Sequence, residues 1–153
     1  MSLTTAQMQA LKTELLTDPN AYGYAPLIAD TNNPALAAMV NLPRAAIQMP
    51  RPDVTPLEIL EAISVDDFLA TASQQIMHGS WFESLTQFPQ IRVLKENGSD
   101  SRVMTNLMKI LKNGTASETR VRALAVRNGS RAEQLFDVDV QVSVQEVIDA
   151  QRL

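Results

Sequence analysis

Apolar residues recur at helical spacing along most of the chain. Met8, Leu11 and Leu15 share one face behind a Thr4–Gln7 capping box, and Asp18-Pro19 stops the run, so a first helix is expected over about 4–17. Asn20 to Pro26 reads as a turn with two aromatic anchors, Tyr22 and Tyr24. Asn33-Pro34 starts a second helix, with Asn as N-cap and proline at the first helical position, and turns Leu36, Met39 and Val40 inward. Thr55-Pro56-Leu57-Glu58 is a third start, with Leu57, Leu60 and Ile63 as its inner face. Ser64-Val65-Asp66-Asp67 restarts a helix whose face continues through Phe68, Leu69, Ala72 and Ile76 to a break at Gly79. Trp81, Phe82, Leu85 and Phe88 form the next stripe, closed by Pro89.

The second half repeats one punctuation device, an apolar residue and a base followed by Asn-Gly and a hydroxyl, at Asn97-Gly98, Asn113-Gly114 and Asn128-Gly129. Asn and Gly tolerate the left-handed conformation that closes a helix, and the hydroxyl can cap the next one. Val103, Leu107 and Ile110, then Val121, Leu124 and Ala125, keep helical spacing, so the second and third breaks read as helix ends. Ile91 to Leu94 is open to a strand reading, because Asn-Gly is also the best hairpin turn. Val138 to Val142 alternates like a half-exposed strand, and Ser143 with Glu146 caps a last helix from Val144 to about Gln151. Met39, Met104 and Met108 fall on apolar stripes as core fillers.

The expected fold is mostly α: one domain over 1–153, about seven to nine short helices around Leu11, Leu15, Leu60, Ile63, Phe68, Leu107, Leu124 and Leu135. A minor β element is expected from 45–49 and 138–142. Residues 43–56, with four prolines and Arg44 and Arg51, read as an extended arm reaching a neighbouring subunit or lying along its own domain.

Composition narrows the chemistry. A length of 153 residues suits one globular domain, and the absence of Cys excludes a disulfide scaffold, a thiolate metal site and a cysteine nucleophile. No apolar run reaches the ~20 residues of a membrane span, and the N-terminus does not read as a signal peptide. The net charge of −4 is uneven: −6 over 1–90, +6 over 91–131 and −4 over 132–153. An acidic chain is a poor general nucleic-acid binder; the basic middle reads first as neutralising the chain's own acidic ends, and segments of opposite sign also suit identical subunits packed head to tail.

No phosphate loop or nucleophile elbow is present. His78, the single histidine, reads as a helix-end residue, and Asp66 and Asp67 as first-turn residues favoured by the helix dipole. Asp137 and Asp139 faintly suggest a calcium loop, but its required Gly falls on Val142 and its Glu on Ile148. Glu58 and Glu61 share a helix face and read as solvated. Arg120, Arg127 and Arg131 lie on one face if helix continues through the third break, with Arg102, Lys109 and Lys112 nearby. Aromatic stacking platforms are missing there, so nucleic acid is the least favoured partner.

Three blocks carry a resemblance. They are Leu11-Lys12-Thr13-Glu14-Leu15-Leu16-Thr17-Asp18-Pro19 with Gly23-Tyr24, Leu36 to Leu42 and Arg44; Glu58 to Ile63 with Asp67-Phe68; and Arg122-Ala123, Asn128 to Leu135 and Val147 to Arg152. In this order they resemble small structural proteins of tailed-bacteriophage virions, whose members often open on such a Leu-Lys…Asp-Pro…Gly-Tyr phrase followed by an Ala- and Asn-rich helix and an Arg. The resemblance implies a non-enzymatic virion component made in the host cytoplasm, oligomeric as a ring, at the head–tail neck or at a tail or fibre attachment. It implies other virion proteins as partners and no cofactor, and it transfers no catalytic residue. The Pro-rich arm and the basic middle supply the expected partner contacts, Arg44 and Arg51 from the one and Arg120, Arg127 and Arg131 from the other, a solvated face being the alternative for the last three. The alternative is a small helical adaptor or DNA-binding regulator.

Overall fold

A computed structural model describes residues 2–68 and 72–153, and of 72–78 the helical backbone alone. The chain is mostly α, 53% helix, with nine helices and a small two-stranded antiparallel sheet among the described residues. In chain order these are α1 (Thr5–Thr17), α2 (Tyr24–Ala29), α3 (Asn33–Val40), β1 (Arg44–Pro50), α4 (Pro56–Ala62) and α5 (Ala72–Thr86). They continue with α6 (Arg102–Leu107), α7 (Ala116–Leu124), β2 (Val126–Gly129), α8 (Arg131–Phe136) and α9 (Val144–Arg152). No described helix is long and apolar enough to cross a membrane. Backbone contacts divide the chain into two compact units, residues 1–48 with 128–153, and residues 49–127.

In the first unit the capping signals act as read. Thr4 and Gln7, Ser130 and Glu133, and Ser143 and Glu146 form reciprocal capping boxes on α1, α8 and α9. α9 packs against α1 and α3. Leu11 and Leu15 of α1, Leu36 and Val40 of α3, and Val147 and Ala150 of α9 are all buried. Each leucine so buried contributes about 2 kcal/mol.

The second unit is built on α4 against α7, with Ile59, Val121, Met104, Leu107 and Ile110 fully or almost fully buried. Thr55 and Glu58 form the capping box of α4. Single antiparallel bridges tie Val54 to Ile91, Leu94 to Asp100 and Phe68 to Leu111. Asn97-Gly98 is therefore the turn of a minimal hairpin, with Gly98 at φ 78°. The apolar residues thus form two buried clusters: Leu11 and Leu15 belong to the first, Leu107 to the second, and Leu60 is 36% exposed.

Several expectations are corrected. Tyr24 begins a helix rather than ending a turn, and the N-cap of α3 is Asn32, one residue early. The partner of β1 is Val126–Gly129 and not 138–142. Asp137 and Asp139 have φ 135° and 64°, which breaks any strand there, and the Asn41 side chain instead grips Val142 through N–H···Oδ1 at 2.8 Å and Nδ2–H···O at 2.7 Å. Asn128-Gly129 consequently lies in a strand and closes no helix. Ser64 to Asp67 makes a 3₁₀ turn ending in an extended Phe68, so the helix expected from Ser64 does not form; Leu69 lies outside the described residues. α5 runs through Gly79 to Thr86, so His78 marks no helix end, and its side chain lies outside the described residues. On α4, Ile59 and Ala62 face inward while Leu57 is 63% exposed.

Candidate functional site

The first unit holds a polar cluster assembled from the first and last of the three blocks that carry the resemblance. α1 ends at Asp18, left-handed at φ 40°, whose carboxylate accepts the N–H groups of Tyr22 (2.7 Å), Gly23 (2.7 Å) and Tyr24 (3.2 Å). Burial pushes the Asp18 carboxyl up, but these three donors and the Arg44 charge outweigh it and hold the group below its usual value. One turn earlier on α1, Glu14 is 4% exposed. It receives Arg131 from α8 as a fork, Nε to Oε1 at 2.8 Å and Nη2 to Oε2 at 2.6 Å. Arg44 lies 3.8 Å over the Tyr22 ring and donates Nη2–H to Met39 O at 3.0 Å. Tyr22 meets the fully buried Tyr24 edge to face at 5.9 Å. Burial, with the Glu14 carboxylate, raises the Tyr24 hydroxyl well above its usual range, so it stays neutral. Glu133 Oε1 accepts the Asp139 N–H at 3.1 Å, which ties the 137–142 segment to α8.

In the second unit a buried hydroxyl does comparable work. Ser117 Oγ, on the first turn of α7, donates to Asp67 Oδ2 at 2.6 Å and accepts from Ser64 N (2.7 Å) and Arg120 Nη2 (3.2 Å). Arg120 Nε also closes the end of α4 by donating to Ala62 O at 2.7 Å. The hydrogen bonds from Ser117 hold the Asp67 carboxyl below its ordinary value. Asp67 thus serves the α7 N-terminus, where orphan N–H groups favour a carboxylate, rather than a helix of its own.

The same unit carries an open apolar groove of about 410 Å³, walled by Trp81, Leu85, Phe88, Ile91 and Val103, with Arg92 and Arg102 at its edge. Phe88 is 58% exposed. Arg92 pairs with Glu96, whereas Arg102 is exposed and has no ion-pair partner among the described residues. A second exposed set lies on α4, where Leu57, Leu60 and Glu61 are within one turn of each other, and Val65 and Asp66 are exposed on the turn that follows. Neither surface is legible in the sequence, where Phe88 belongs to an apolar stripe and Leu57 and Leu60 to the expected inner face of their helix.

The expected contact residues are spread over both units. Arg44 and Arg131 belong to the first, and Arg51, Arg120 and Arg127 to the second. Arg51 spans Asp53 (2.8 Å) and Glu58 (2.9 Å) on its own chain. Arg127 lies half-buried on β2. The helical face that would have aligned Arg120, Arg127 and Arg131 does not exist, because α7 ends at Leu124 and the chain becomes a strand. Arg44, Arg51, Arg120 and Arg131 bind partners within the chain. No cluster of three or more metal-ligating side chains occurs among the described residues.

No protein-family model, curated protein or solved structure matches the chain.

Proposed function

We propose that the protein is a non-enzymatic structural component of a tailed-phage virion, an oligomeric piece of the head–tail neck or of a tail or fibre attachment. The observation that supports this reading is the ion pair that joins the first resemblance block to the last. Glu14 of the first block and Arg131 of the last form the fork, in the unit that also holds Asp18, Arg44 and the Ser130–Glu133 capping box, whereas the middle block lies in the other unit. The alternative, a DNA-binding regulator, loses its principal basic face, since Arg120 and Arg131 are spent on Ala62 and Glu14. Mass spectrometry of purified particles tests the proposal. Detection in multiple copies per virion is expected. Abundance in infected cells with absence from particles would overturn it in favour of a regulator.

A further inference from the structure

The groove and the exposed leucine ridge of residues 49–127 match in chemistry. We propose that they are the two halves of one head-to-tail contact between copies of this chain. Leu57 and Leu60 of one copy enter the groove between Trp81, Phe88 and Val103 of the next, and Glu61 meets Arg102. This rests on the oligomeric role proposed above and names its surface.

The ridge is the stronger clue. Leucines three apart on a short helix normally face a core, yet the core side of α4 is taken by Ile59 and Ala62. Leu57, Leu60 and Val65 are 63%, 36% and 81% exposed within nine residues, so the chain does not seat this ridge in its own groove. The groove, about 410 Å³, falls within the roughly 300–1,000 Å³ range of sites that bury a ligand.

Charge selects the occupant. Arg102 stands on the first turn of α6, where the helix dipole disfavours a cation, and no acid of the described residues pairs with it. Glu61, exposed between Leu57 and Val65, carries the complementary sign. A second copy brings apolar ridge and acid together. The two surfaces are different, so the contact is heterologous, and it closes into a ring when the rotation between copies divides a full turn.

The absence of Cys makes the contact directly testable in the full chain. Leu60→Cys and Asn106→Cys chains, mixed and oxidised, should give a mixed disulfide dimer, because Asn106 lines the groove. Like-with-like dimers alone, or none, would overturn the proposal. By sedimentation, Glu61→Arg and Arg102→Glu should each weaken self-association about tenfold, and the double variant should recover it. A double variant no better than either single one would refute the pairing, and a chain monomeric at all concentrations would refute the contact. Circular dichroism confirms that each variant folds. Normal incorporation of Glu61→Arg into virions overturns this contact while leaving the structural role intact. Absence of the unmodified chain from virions overturns the role itself.

Discussion

Replacing Arg131 by Met should destabilise the first unit severely. Arg131 and Glu14 are 117 positions apart, joined by two hydrogen bonds, with side chains 15% and 3% exposed. Truncating the guanidinium strands a carboxylate that water barely reaches. Losing one partner of a buried pair costs about 3–5 kcal/mol, against a total stability of about 5–15 kcal/mol for a typical protein. At about 2–4 °C per kcal/mol, the transition should fall by roughly 10 °C. Glu14→Leu combined with Arg131→Met removes both charges and should return close to the parent, because a buried ion pair and a well-packed apolar pair are of similar net stability. Arg131→Lys keeps the charge but not the fork and should fall in between. Urea denaturation of the parent, Glu14→Leu, Arg131→Met and the double variant supplies the double-mutant cycle. A loss below about 1 kcal/mol in Arg131→Met, the range of exposed pairs, would refute the reasoning. So would a stable Arg131→Met chain that fails to enter particles, which would return Arg131 to partner contact.

Gly23→Ala should cost about 1 kcal/mol from backbone conformation alone, since φ is +88° and nothing lies within 4 Å of the added Cβ. Gly79→Ala, in helix with equally open space, should stabilise by about 0.5–1 kcal/mol; thermal melts showing both shifts of one sign would refute the distinction. Ser117→Ala should cost about 2 kcal/mol, because it leaves the Ser64 N–H without its acceptor and Asp67 with the Ser117 N–H alone; a loss under 0.5 kcal/mol by chemical denaturation would dissolve the network. Asp18, Glu58, Asp67, Glu118 and Glu146 all have carboxyl pKa values held below 3.8 or 4.5, their ordinary ones. Their contribution is therefore complete above the ordinary values and lost as pH falls through the depressed ones. Stability should be flat from about pH 6 to 5 and drop below about 4, less steeply in Asp18→Asn.

Local signals determined the helix starts. Thr4, Thr55, Ser130 and Ser143 each cap a helix with an amide or carboxylate three residues on, because that interaction is completed within one turn of backbone. The extended 44–50 segment and the mostly helical class were legible for the same reason: proline spacing and apolar periodicity act over a few residues. Choices between equal local options were not. On α4, Leu57-Leu60 and Ile59-Ala62 are both helical stripes, and only packing against α7 decides which is buried. Asn128-Gly129 fits a helix end as well as a strand, and the unpaired backbone of β1 draws it into the strand. Arg131 reads as a partner contact in the sequence because its acid lies 117 positions away. Tertiary structure decided these points, since burial, strand pairing and ion pairing depend on which distant groups share a low-dielectric neighbourhood, and no window of sequence contains that information.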